Sequence, residues 1–201
     1  RGNILEYNGE QDCLFPSGKE YRWADLRSFR FESERVQSID KLAQPNEVYL
    51  KPDAVRTSLR YAYFRDMNGW YNISTTENIN PFWQGDYANV HFNFDLGSQV
   101  SNGNFYVIGA FNDWKCDSTS ILHYDALDKS YTTDIQLKQG LYNYMYVLKN
   151  NQDNSINPFI TEGYYMDTEN DYTILLYYTP FGERYDRLIA TKFINSIINR
   201  F

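Results

Sequence analysis

Residues 105–114 read Phe105-Tyr106-Val107-Ile108-Gly109-Ala110-Phe111-Asn112-Asp113-Trp114, and residues 140–147 read Gly140-Leu141-Tyr142-Asn143-Tyr144-Met145-Tyr146-Val147. Each is a short run of aromatic and β-branched residues beside a glycine, the pattern of a buried strand next to a tight bend. Working outward, Tyr87–Leu96 alternates, with Val90, Phe92 and Phe94 on one face. Ile121–Tyr124, Tyr131–Leu137 and Tyr172–Tyr178 are further strands, and Asn150–Asn157 is a loop. About seven strands in roughly 110 residues, joined by short turns, describe an immunoglobulin-like sandwich. The fold class expected is therefore all-β.

Upstream the pattern is less regular. Asn3–Tyr7, Cys13–Phe15, Tyr21–Phe31, Val48–Leu50, Arg60–Phe64 and Trp70–Ile73 are β-like, with turns at Asn8-Gly9 and Pro16-Ser17-Gly18. The turn Asp66-Met67-Asn68-Gly69 predicts a hairpin in which Trp70–Ile73 returns along Arg60–Phe64. The polar stretch Ser74–Asp86, holding Pro81 and Gly85, is the expected boundary. It separates a partial β-rich region (1–84) from the sandwich (85–201). Near the end, Leu188, Ile189, Phe193, Ile194, Ile197, Ile198 and Phe201 repeat at helical spacing, while their β-branched content favours a last strand near Arg184–Phe193, followed by a helical turn.

Composition sets limits on function. The chain has 201 residues, of which 18% are aromatic, enough apolar area to exclude disorder and to favour pleated structure. Net charge is −7, divided as −1 over residues 1–84 and −6 over residues 85–201. A general nucleic-acid binder carries the opposite sign, so nucleic-acid partners are not expected. Cys13 and Cys116 lie far apart in no metal-binding pattern, and either a disulfide or two free thiols fits them. No stretch approaches the ~20 apolar residues of a helical membrane span. The chain opens on Arg1 rather than Met, so the lack of a leader carries no weight.

Catalytic signatures are missing: there is no nucleophile elbow, phosphate loop, dinucleotide fingerprint or His-Glu-x-x-His. Two histidines, His91 and His123, offer little acid–base capacity. Asp167, Glu169 and Asp171 alternate, which in an extended chain would place three carboxylates on one face. That face suits either a hard cation or plain solvent, and no metal or cofactor is expected. Arg22, Arg27, Arg30 and Arg35 crowd one segment with Trp23, Phe29 and Phe31. They read either as a contact surface or as an internal ion-pair lattice with Glu20, Asp25, Glu32 and Glu34. The candidate partner-binding residues are Arg27, Arg30, Trp70, Trp83 and Trp114, aromatic or Arg side chains in turn-flanked segments.

Gly109-Ala110-Phe111-Asn112-Asp113-Trp114 followed by Gly140-Leu141-Tyr142-Asn143-Tyr144 resembles the early-set immunoglobulin-like domain of glycogen-binding modules. The resemblance implies a glycan reading, with Trp114 as a sugar-stacking residue and Asn170 as a hydrogen-bonding one. The position where those modules carry Lys is Met145, and no Trp lies near Gln152 where a second stacking residue belongs. The resemblance thus marks the fold more than the ligand.

A longer series runs through nearly the whole chain. It includes Phe15-Pro16-Ser17-Gly18-Lys19-Glu20-Tyr21-Arg22-Trp23, Val48-Tyr49-Leu50-Lys51-Pro52-Asp53, Arg65-Asp66-Met67-Asn68-Gly69 and Asp86-Tyr87-Ala88-Asn89-Val90-His91-Phe92. It closes with Thr168-Glu169-Asn170-Asp171-Tyr172-Thr173 and Arg184-Tyr185-Asp186-Arg187-Leu188. Together these resemble the type IX secretion system plug proteins of Bacteroidota, a family formerly labelled a domain of unknown function. That resemblance implies a non-enzymatic periplasmic protein associated with the outer membrane, closing the pore of a large translocon barrel by protein–protein contact. It also implies a longer family architecture, with a first β-domain ahead of this segment.

Overall fold

The structure is a computed structural model and describes residues 14–197. The expected strand Asn3–Tyr7, the turn at Asn8-Gly9, and Cys13 with its pairing lie outside the described residues. In chain order the strands are β1 (Arg22–Asp25), β2 (Val36–Asp40), β3 (Asn46–Leu50), β4 (Asp53–Ala54) and β5 (Tyr71–Ile73). The one-turn helix α1 (Pro81–Gln84) precedes β6 (Tyr87–Asp95), β7 (Gly103–Ile108), β8 (His123–Asp125), β9 (Ser130–Lys138), β10 (Gly140–Asn150) and β11 (Ile156–Asn157). Helix α2 (Phe159–Glu162), β12 (Asp171–Tyr178) and β13 (Arg187–Asn195) complete it.

The protein is an all-β sandwich. One sheet centres on β10, which pairs with β1, β5, β7 and β11; the other runs β2-β3-β6-β9-β8, with β4 beside β6. Alternation does the work inside these strands. In β6, Ala88, Val90, Phe92 and Phe94 are buried, and in β10 so are Tyr142, Tyr144, Tyr146 and Leu148. The two sets meet ring to ring. Phe92 packs edge-on against Tyr144 at 5.1 Å, and Phe94 stacks on Tyr146 at 4.6 Å. Such pairs add about 0.5–1.5 kcal/mol each beyond the area they bury.

The chain divides into two compact units, Glu20–Gly163 and a second formed by Arg1–Lys19 with Tyr164–Phe201. The expected boundary at 84/85 does not separate sheets: β1 and β5 both pair with β10, and β3 and β4 both pair with β6. The stretch from β1 to β5 therefore completes the sandwich instead of forming a region of its own. The polar stretch at Ser74–Asp86 is a surface loop carrying α1. The expected hairpin also differs. Asn68 (φ 51°) and Gly69 (φ 80°) make the turn, but Tyr71–Ile73 pairs with Gly140–Tyr142, and Arg60–Phe64 forms no strand. Turn chemistry encodes a reversal of direction, not the identity of the partner strand.

In the second unit β12 and β13 form an antiparallel ribbon with a register shift at Leu176/Tyr177. The chain end is thus strand through Asn195, as β-branching indicates. Ile174 through Tyr178 on β12 are exposed, as are Leu188, Ile189 and Phe193 on β13. No helix among the described residues is long and apolar enough to cross a membrane.

Candidate functional site

Two turns of the first unit meet at one place and present Trp70 and Trp114. In the first turn, Asp66 accepts hydrogen bonds from the backbone N–H of Tyr21 and of Asn68, and Asn143 Oδ1 accepts from Met67. These bonds fix the loop so that Trp70 follows Gly69 out of the bend, its carbonyl accepting from Asn143 N at 3.0 Å. Gly69 is favoured here: its φ is +80°, and a Cβ there would lie 2.8 Å from the Tyr21 ring.

The second turn is the Gly-Ala-Phe-Asn-Asp-Trp segment. Gly109 is extended, and a Cβ on it would lie 2.5 Å from the Asn143 carbonyl oxygen, so the glycine serves close backbone approach. Asn112 ties the loop, accepting from Gly109 N at 3.1 Å and donating to the Val107 carbonyl at 3.0 Å. Asp113 and Trp114 then both adopt left-handed backbone (φ 54° and 53°), an arrangement that costs side-chain-bearing residues roughly 1–2 kcal/mol apiece. The two turns are bonded through Ala110 N to the Gly69 carbonyl at 2.9 Å.

Held this way, the two indoles pack edge to face, with centroids 5.8 Å apart at 88°. The Trp114 indole lies close to the Tyr21 hydroxyl. Burial pushes the Tyr21 pKa up, the indole N–H opposes that, and the nearby Asp66 charge adds to it. Trp70 nevertheless stays 59% exposed and Trp114 38%. The result is an aromatic projection in which two solvent-open indoles support each other.

The other expected contact residues lie elsewhere on the unit. Arg27 forks onto Asp25, with Nε at 2.8 Å from Oδ1. Arg30 is exposed, its Nε 4.0 Å from Glu77. Glu77 accepts from Ser28 Oγ, from the N–H of Phe29 and Arg30, and from Gln139 Nε2, pinning this turn to the β9–β10 connection. Trp83, 86% exposed, sits on α1, which Asn80 caps and which Lys138 holds by donating to the Phe82 carbonyl. Of the five expected side chains Arg30, Trp70, Trp83 and Trp114 are exposed and Arg27 is half-buried, and the structure places Trp70 and Trp114 in contact.

The glycan pairing of Trp114 with Asn170 is not assembled within one unit. Asn170 lies at the base of the β12–β13 ribbon, its N–H donating to Ser196 Oγ and its amide to the Thr168 carbonyl. The Glu169 and Asp171 carboxylates share one donor, Asn195 Nδ2, at 2.8 Å each. Among the described residues no group of His, Cys, Asp and Glu side chains is arranged to hold a metal. Cys116 is half-buried and forms no disulfide among the described residues, and burial raises its thiol pKa.

The arginine-rich segment divides between the two readings. Arg22 is buried and forks onto Glu162 through Nε at 2.9 Å, while its NH1 reaches Asp53 at 3.0 Å. Asp53 also takes Arg35 and the hydroxyls of Tyr144 (2.7 Å) and Tyr146 (3.0 Å). Glu162 also takes Tyr146 N and faces Arg56 at 3.4 Å. Burial works against the Arg22 charge, but Glu162 and Asp53 overcome it and raise its pKa. This is an internal lattice, as one reading of the segment has it, but its acids are Asp53 and Glu162. Of the expected acids, Asp25 pairs with Arg27, and Glu20 accepts the Tyr61 hydroxyl. Every carboxylate oxygen of Asp53 and Glu162 is occupied, so the lattice fastens β4, α2 and β10 together.

No protein-family model matches the chain, and no curated protein does. Among solved structures, the 2.30 Å crystal structure of a hypothetical protein from Parabacteroides merdae ATCC 43184 matches with a TM-score of 0.85 at 31% identity. The match covers 92% of this chain and 46% of that one, so the chain spans less than half of that protein's length.

Proposed function

We propose that the protein is a non-catalytic cell-envelope component that works by protein–protein contact, akin to the plug that closes the type IX secretion translocon. The observation that carries this reading is the preorganised, exposed Trp70–Trp114 pair. Tryptophans fixed by neighbours yet open to solvent lose little entropy on docking and are favoured anchors of interfaces. The exposed apolar ribbon of β12 and β13 supports the same reading, because a solvated two-stranded ribbon gains stability by being covered. The chain-wide plug-family resemblance supplies the partner, the outer-membrane translocon barrel, and the compartment, the periplasm. Affinity-tagged barrel isolated from the native host should carry this protein along, and Trp70→Ala with Trp114→Ala should weaken its retention at least tenfold. Absence of the protein from barrel preparations, in a host shown to possess the barrel, would remove the assignment.

A glycan-binding role is the second reading, favoured by the open face of Trp114 alone. Calorimetry against glycogen, starch and cell-wall glycans tests it, with Trp114→Ala as control. Heat that disappears in the variant would establish it, and no heat with any glycan would end it.

A further inference from the structure

The six-stranded sheet ends in a step. Strand β8 is short and pairs with β9 only at Ser130–Thr132. The chain ahead of it belongs to the opposite sheet: Ile121 bridges Tyr106, and Leu122 N donates to the Phe105 carbonyl at 2.8 Å. From Thr133 to Lys138, β9 therefore has β6 on one side and, among the described residues, no strand on the other. In an antiparallel strand alternate residues send N–H and C=O to opposite sides, so part of this edge directs its backbone groups outward.

That edge borders a groove of about 650 Å³ whose lining includes residues 133–137 of β9 and residues 117–119, with Phe111, Asp113, Lys115 and His123. Five strand residues span ~17 Å, the length of an added strand of equal size. Side-chain charge in the groove is one-sided. Asp113, Asp117 and Asp134 face a single Lys115, whose ammonium already sits 3.0 Å from Asp113. With His123 neutral the net charge is −2. Phe111 and Ile121 supply apolar contact between the charges.

We propose that this groove takes an extended, basic peptide segment of a partner protein by strand addition to the open edge of β9. The backbone of the edge supplies main-chain hydrogen bonds, and the net negative charge left by Asp117 and Asp134 beside the Asp113–Lys115 pair selects Lys or Arg side chains. The proposal does not depend on the Trp70–Trp114 contact, since Trp114 does not line the groove. It also does not depend on the envelope role.

The test is amide hydrogen exchange on the intact protein with a capped ten-residue peptide in which Val and Lys alternate. Binding should slow exchange at alternate amides within residues 133–137 by at least tenfold. Asp117→Lys should weaken binding about tenfold. The same peptide N-methylated at alternate residues should give no protection. Unchanged exchange at these amides would overturn the proposal. So would equal protection from the N-methylated peptide, which would show charge adhesion alone, or equal binding of a Val-Glu peptide. None of these outcomes bears on retention by the barrel, so this proposal and the functional assignment fail separately.

Discussion

Replacing Asp53 by Ala removes the hub of the buried lattice. Asp53 is 3% exposed and accepts from four side chains: Arg22, Arg35, Tyr144 and Tyr146. Tyr144 and Tyr146 are fully buried, so each hydroxyl would lose its partner in a place water does not reach, at about 1–3 kcal/mol apiece. Arg22 would keep Glu162 and the Ala54 carbonyl but lose one of its two carboxylates, and half-breaking a buried ion pair costs about 3–5 kcal/mol. The losses share one network and do not add in full. A combined cost of about 4 kcal/mol is a conservative reading, a large part of the 5–15 kcal/mol typical of a whole domain. The midpoint of thermal unfolding should fall by roughly 12 °C at about 3 °C per kcal/mol. Urea and thermal unfolding followed by far-UV circular dichroism would measure this, with Lys115→Ala as control because it severs only an exposed pair with Asp113. A loss below about 1 kcal/mol in Asp53→Ala would refute the view that this lattice fastens the sandwich.

Gly69→Ala forces a side chain into left-handed backbone and against the Tyr21 ring, so it should cost about 1–3 kcal/mol by urea unfolding and alter the near-ultraviolet tryptophan signal. A double-mutant cycle on Trp70→Ala and Trp114→Ala should return a coupling of about 1 kcal/mol in stability, as expected of an edge-to-face pair. Burial raises the phenol pKa of Tyr142, Tyr144 and Tyr146 in the folded state, the last two well above the ordinary value. The unfolded chain therefore loses protons first as pH climbs past about 10, and stability present below that pH declines above it. Absorbance of tyrosinate against pH should accordingly show a late cooperative step that coincides with loss of far-UV ellipticity. A smooth titration of all tyrosines at intact fold would contradict this.

Much of the fold is legible in the sequence, and the reason is period. Val90-x-Phe92-x-Phe94 and Tyr142-x-Tyr144-x-Tyr146 alternate because one face of each strand is core, and the strands they mark run at Tyr87–Asp95 and Gly140–Asn150. Val36–Asp40 escapes such reading because only Val36 is buried there and the rest is polar or half-exposed. Pairing is not legible. Nothing near Tyr71 says that its partner is Tyr142, nor near Arg22 that its carboxylate lies 140 residues away on Glu162. The same holds for the site. Trp70 and Trp114 stand out singly because each flanks a turn, yet their contact depends on two left-handed bends bonded at Ala110 and Gly69. The open edge of β9 leaves no mark at all, since it arises from where β8 stops.

Photocrosslinking tests the central claim most directly. A photoreactive phenylalanine analogue replacing Trp70 in the native host, with one at exposed Lys129 as reference, reports what lies against the aromatic projection. The account predicts a crosslink to the translocon barrel from position 70 and none from position 129. No crosslink from position 70 in a host that makes the barrel, or equal crosslinks from both positions, would contradict it.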